Sequence, residues 1–326
     1  MKPIKEVNIY TDDIKTLKEN SSRKFAKYQE PYIKEVYDTD GNLIEIEVVG
    51  SNFVRKRAYD NCSSLKQANL PSGLTKIGES AFSYCTNLVL TSLPDGVASI
   101  GARAFSGCSN LALTSLPSRL TEISDYAFMG CSNLAITSLP DVVTSIGQSA
   151  FQNCTNLALT SLPDRVTSIN RSAFEGCSNL ALTSLPDKLT DINYHTFYRC
   201  TNLALTRLPD GVTSIGEAAF GDCTNLALTS LPAGVTSIGG YSTFSGCTNL
   251  ALTNIPAGVT KIGNHIFEDC TSLTEVTFEG TPNYIESTAF SGCTNLTTIN
   301  VPWAEGAIAN APWGATNATI NYNYTE

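Results

Sequence analysis

His195 and His265 are the only histidines in 326 residues. The chain is equally short of other equipment for chemistry. No GxSxG elbow, phosphate-binding P-loop, HExxH pair or dinucleotide fingerprint occurs, and Asp and Glu fall without a recurring pair. An enzyme is therefore not expected, and no catalytic residue, metal or cofactor is assigned. No apolar run approaches the roughly 20 residues that a membrane-spanning helix needs, so membrane insertion is not expected either. The opening MKPIKEVNIYTDDIK has lysines but no apolar core, so no secretory signal is visible. Positive charge is scarce where most of the chain lies. Residues 1–60 hold eleven Lys and Arg against eleven Asp and Glu, but the remainder holds ten against nineteen. An acidic surface argues against nucleic acid as a partner.

What the chain has in abundance is repetition. Cysteines stand at 62, 85, 108, 131, 154, 177, 200, 223, 247, 270 and 293, so every interval is 23 residues except one of 24. The extra residue falls between Gly239 and Phe244, where a loop can absorb it. Counted from each cysteine, Leu recurs at +3, +5 and +8, Pro at +9, Val or Leu at +12, Ile at +15, Gly usually at +16, Ala at +19 and Phe at +20. One such unit offers about eight core side chains worth roughly 1.5–3 kcal/mol each, against ordering costs of about 1–2 kcal/mol per residue. It cannot fold alone, whereas stacked copies give each apolar slot a like neighbour above and below.

The +3 to +8 segment is short, rich in Leu and Thr, and stopped by Pro, which predicts a strand in a parallel sheet. VTSI predicts a second extended piece. Gly or Asn at +16 suggests positive φ. From +19 onward, the Ala-Phe, Cys and Leu spacing predicts a short helix or 3₁₀ turn.

The pattern LPxxVTxIGxxAFxxCxxL, over roughly residues 54–302, resembles the BspA-like, or Treponema pallidum-type, leucine-rich repeat of bacterial surface proteins. The expected fold is an α/β repeat solenoid, with a parallel β-sheet on one face, short helical turns on the other and caps at both ends. Its length along the stack is about 50 Å by strand spacing. The parts expected are an N-terminal cap over 1–60, the leucine-rich repeats over 61–302 and a C-terminal cap over 303–326. The first cap would hold a helix in DDIKTLKENSSRKFAKY and a hairpin in YIKEVYDTDGNLIEIEVV, with DG at its turn. The second carries both tryptophans. The resemblance implies a non-catalytic surface or secreted protein that recognises or adheres to a protein or glycan, which could be host-derived. The alternative is a structural or receptor-recognition component of a larger appendage, such as a phage-derived tail.

One departure from the family pattern raises a question of register. The family strand is apolar at +6, as at Val276 and Ile299, yet the central copies place Thr there and Leu or Ile at +5, from Leu90 to Leu252. A shift of one residue turns a strand side chain to the other face unless the backbone bulges. The +5 leucines are thus either buried by a bulge or offered to a partner as an apolar stripe. The cysteines, each between Phe and Leu in the same setting, are expected to be free, buried thiols in contact with aromatic rings. A straight column cannot converge on zinc. The asparagine two residues after most cysteines is expected to satisfy backbone groups rather than a ligand. Recognition must then use variable slots. One stretch stands out: Tyr194, His195, Tyr198 and Arg199 cluster in a single copy, and Arg207 replaces a serine. Tyr and Arg are enriched at binding hot spots.

Overall fold

The computed structural model describes residues 6–10 and 32–325; the helix expected within 12–28 lies outside them. The repeats form a parallel-strand solenoid in which each unit is one rung.

Its most regular ladder is built by VTSI. Two-residue strands stack in parallel register, so that Ile77 pairs with Ile100, Ile146 with Ile169 and Ile215 with Ile238. These isoleucines point into the core and the residues before them point out. The ladder runs in four groups rather than one. Two of its breaks have a sequence cause. Gly101, Gly147 and Gly216 each donate their backbone N–H to the isoleucine carbonyl of the preceding rung, at 2.9, 2.7 and 2.7 Å. Where Ser124 and Asn193 hold the slot, the side chain makes that bond instead, Oγ to Ile100 O and Nδ2 to Ile169 O, both at 2.7 Å. The third break falls at the 24-residue interval, where Tyr241 bridges to Asn264.

The +16 glycines do not serve positive φ. A Cβ on Gly216 would stand 2.5 Å from the backbone N of Tyr194, and one on Gly101 would stand 2.5 Å from that of Glu79. Glycine here permits close approach of successive rungs. Left-handed backbone occurs two residues later and again at +22, as at His195 (φ 55°), Arg199 (φ 61°) and Gly176 (φ 72°).

That conformation also explains why the expected helical turns are absent: the described residues contain no helix. The bonds of a 3₁₀ turn are present, with Cys177 N donating to Phe174 O and Leu180 N to Cys177 O, each at 3.0 Å. Recurring left-handed residues reverse the chain before a second turn can follow, since a right-handed helix tolerates no such residue. The alternate amides are freed to donate to the next rung instead, as Phe174 N does to Thr196 O and Gly176 N to Tyr198 O, at 3.0 and 2.8 Å. The helix face is a ladder of turns.

The leucine-rich segment corrects a second expectation. Strands form there only in the first and last copies, at Gln67–Asn69, Asn254–Ile255, Glu275–Phe278 and Thr298–Asn300. In the first copy and the last two, the buried side chain is at +6: Ala68, Val276 and Ile299. In the central copies Leu159 and Leu205 at +5 are 0% exposed, as are Leu157 and Leu203 at +3. Inward residues at +5 and +8 are three apart, which the two-residue period of a strand cannot supply. The chain bends outward at Thr-Ser, leaving only sparse inter-rung backbone bonds, such as Ala181 N to Leu159 O at 3.1 Å. Burial prevails, and its price is the strand.

Between the ladders lies a single core of stacked columns. The Phe rings, from Phe82 to Phe290, lie nearly parallel with centroids 5.2–5.7 Å apart. Hydroxyls bind rungs as well: Thr201 and Thr224 each donate to the carbonyl of the same slot one copy earlier, at 3.3 and 3.2 Å. At the N-terminal end, Tyr32–Tyr37 and Leu43–Val49 pair antiparallel, and the latter lies parallel to Gln67–Asn69. At the other end, Thr319–Asn321 pairs with Thr298–Asn300, and Asn317 donates to Thr294 O. Stacking thus continues past residue 302. Trp303 and Trp313 are buried against Phe278 there, with ring centroids 5.4 and 6.4 Å from it.

Candidate functional site

The turn ladder brings four of the five candidate residues together. The left-handed backbone at His195 and Arg199 sets the side chains of one rung in sequence along the surface. The Tyr194 and His195 rings stack with centroids 3.8 Å apart and planes 7° off parallel. Tyr198 lies 4.8 Å beyond His195, and the Arg199 guanidinium sits 4.9 Å from the Tyr198 ring centre. Charges from adjacent rungs complete the row: Glu175 Oε2 lies 3.6 Å from His195 Nδ1, and Asp222 Oδ2 lies 3.5 Å from Arg199 Nε. Contacts on both sides fix these side chains before any partner arrives, which lowers the ordering entropy that binding would cost. Tyr194 nevertheless remains 46% exposed. Arg207 stands apart. It follows Thr206 on the outward bend of the leucine-rich segment, and no hydrogen bond, ion pair or ring contact among the described residues joins it to the cluster.

A smaller relative of this arrangement surrounds the other histidine. Tyr241, half exposed, meets His265 edge to face at 5.5 Å, and His265 Nδ1 lies 2.9 Å from Glu268 Oε1 without the alignment of a hydrogen bond. The extra residue of the 24-residue interval puts Tyr241 here, a consequence that spacing alone does not reveal.

The cysteines are free, and all but Cys62 are buried. Each buried thiol donates to the phenylalanine carbonyl one rung back, as Cys177 Sγ does to Phe151 O at 3.0 Å; in the first copy the acceptor is Tyr59 O. Burial pushes the thiols up from their ordinary range, Cys108 to about 12. Cys62, which is only partly buried, is also raised, first by burial and then by the charges of Glu35 and Asp60. Thiolate, the nucleophilic and metal-binding form, is therefore suppressed along the column. Among the described residues no group of three His, Cys, Asp or Glu side chains is placed to hold a metal. No helix there is long and apolar enough to cross a membrane.

The +2 asparagines do serve the stack. Asn87 donates to Ser63 O at 2.9 Å and Asn295 to Thr271 O at 2.8 Å. Asn133 and Asn225 instead reach the asparagine side chain one rung back, each at 3.5 Å.

No curated protein sequence matches the chain. Among solved structures, the pneumococcal vaccine antigen PcpA is 19% identical and aligns over 89% of this chain and 82% of its own, with a TM-score of 0.59. That likeness is one of fold. A leucine rich cell surface protein from Faecalibacterium prausnitzii is 24% identical over 94% of this chain and 100% of its own, with a TM-score of 0.49. The T. pallidum leucine rich repeat protein is 26% identical over 66% and 86%, with a TM-score of 0.37. The family described as BspA type leucine rich repeat region matches residues 52–181, 144–242 and 190–311, which together span most of the chain. With that match laid over the stacked 23-residue rungs, the chain belongs to the BspA type leucine-rich repeat family.

Proposed function

We propose that this chain is a non-catalytic recognition protein, displayed on or secreted from a bacterial cell, that binds a protein or glycan through the turn face around Tyr194. The observation that carries the reading is the row Tyr194, His195, Tyr198 and Arg199, ordered by its own stacking yet open to solvent. Large rigid aromatic and guanidinium groups contribute most per residue at recognition surfaces. The rest of the turn face holds mainly small or singly charged side chains, so this rung is where it departs most from uniformity. Arg207, on the outward bend, lies outside the proposed surface. In the same reading, residues 1–60 and 303–326 serve as caps that cover the ends of the stack.

The test is an array of extracellular-matrix proteins and glycans probed with the intact chain and with a Tyr194→Ala, Tyr198→Ala double variant. Binding should fall at least tenfold in the variant, with unchanged thermal unfolding. A ligand held equally well by both proteins refutes the assignment of this face. Fractionation of the native host checks the location.

A further inference from the structure

Beside Tyr194 the turn face opens into a cleft of about 330 Å³, lined by Asp125, Gln148, Asn170, Arg171 and Asn193. Asp125, Gln148 and Arg171 occupy one slot of three successive rungs, and Tyr194 occupies it in the fourth. Their carbonyls accept N–H groups from Arg103, Tyr126, Ser149 and Ser172 at 3.0, 2.8, 3.0 and 2.9 Å. The backbone thus sets the four side chains in a row at about 4.8 Å per rung. Asn170 and Asn193 stand in the +16 glycine slot of two successive rungs, and both fall here.

Part of the polar capacity of the cleft is spent internally. Gln148 N donates to Asp125 Oδ1 at 2.7 Å, Arg171 Nη2 to Gln148 Oε1 at 3.0 Å, Gln148 Nε2 to the Tyr126 hydroxyl, and Asn193 Nδ2 to Ile169 O. Among the described residues this leaves Asp125 Oδ2, the Asn170 amide, Asn193 Oδ1 and the remaining N–H groups of Arg171 without partners. The groups available therefore include both donors and acceptors, and the internal bonds fix several of the planes that carry them. One carboxylate and one guanidinium cancel in charge. At its end stands an exposed tyrosine ring, backed on one face by His195.

Such a set suits one ligand chemistry. Vicinal hydroxyls of a sugar both donate and accept, and match planar carboxylate, amide and guanidinium groups two at a time. The apolar C–H face of a pyranose ring matches an aromatic face. The cleft lies at the lower end of small-ligand pockets, roughly 300–1,000 Å³. We propose that it binds a short neutral oligosaccharide of hexose units lying along the stacking axis, with one ring against Tyr194. The proposal rests on the turn face being the recognition surface, and gives that surface a ligand class.

Titration of the intact chain with labelled neutral di- to tetrasaccharides of glucose, galactose and N-acetylglucosamine tests it. Asn170→Gly installs the residue most other rungs carry, so folding should survive, which thermal unfolding checks; Arg171→Ala is a second, exposed change. At least one probe should bind, weakening at least tenfold in both variants and in Tyr194→Ala, while Tyr194→Phe retains binding. Absence of binding by every probe, or binding untouched by both cleft variants, overturns the proposal. A protein ligand lost in the Tyr194→Ala, Tyr198→Ala variant while no sugar binds overturns the sugar assignment and leaves the turn-face reading standing.

Discussion

Replacing Leu159 by alanine should destabilise the chain by about 2–5 kcal/mol, whereas the same change at its neighbour Thr160 should stay within about 0.5 kcal/mol. Leu159 is 0% exposed and stacks between Ile136 and Leu182, which are equally buried, while Thr160 faces solvent. Truncation removes methylene-sized groups worth about 0.8 kcal/mol each, close to 2.4 kcal/mol for three, before any cavity is counted. Rungs pinned on both sides by ladder bonds can close such a cavity only in part, so the total belongs above the transfer value. Urea unfolding reads the difference. With a slope of about 3 kcal/mol/M, the midpoint should drop by about 0.7–1.7 M for Leu159→Ala and barely move for Thr160→Ala. A repeat array can unfold in stages, so equal slopes in the variants are needed before midpoints are compared. In a family-type strand with the apolar position at +6, the order of the two effects would be reversed; that reversal would falsify the bent, strandless segment.

Close approach at +16 predicts that Gly216→Ala costs about 1–3 kcal/mol, because the new Cβ would meet backbone of Asn193 and Tyr194 that cannot rotate away. Gly73→Ala, where a Cβ meets nothing within 4 Å, should be near neutral by the same urea measurement. The thiol column predicts a pH dependence. These groups are neutral when protonated, and burial raises them in the folded chain, Cys108 to about 12. Unfolded thiols ionise near 8.5, so the unfolded state releases protons first. Stability should be complete below about pH 8.5 and fall from there toward pH 12; urea midpoints at pH 7 and pH 10 check it. Alkylation of the native chain at pH 7.5 should reach Cys62 well before the others, read by mass spectrometry, and equal labelling of all eleven would refute the buried column.

The periodicity made the rung legible: its length, its inward Ile, Phe and Cys slots and its dependence on neighbours follow from counting residues. What periodicity could not distinguish was a helix from a chain of turns, since both place i and i+3 together. The distinguishing signal was nonetheless in the sequence. The +22 slot holds Gly at 107, 130, 176, 246 and 292, Asn at 61 and 153, and Asp at 222 and 269, residues that tolerate left-handed backbone, and all of them adopt it. The +16 glycines, read the same way, served a different end. Glycine marks either a backbone angle or a near neighbour, and only the next rung shows which.

The site was legible through exceptions to the repeat, and the exceptions are connected. Tyr194, His195, Tyr198 and Arg199 interrupt small-residue slots and meet on one surface. The cleft beside them is not legible in the sequence, because Asp125, Gln148 and Arg171 are unremarkable singly and meet only when rungs stack at one slot. Asn170 and Asn193 were visible as substitutions for glycine but looked conformational. In the stack they behave differently: Asn193 uses its amide to replace a lost ladder bond, while Asn170 keeps its ladder bond to Ile146 O at 2.9 Å and leaves its amide to the cleft. In a repeat array the consensus builds the ladder, so a residue that departs from it without serving the ladder is the one available for recognition. By that criterion Asn170 is the departure whose loss should spare the fold and change what the surface binds.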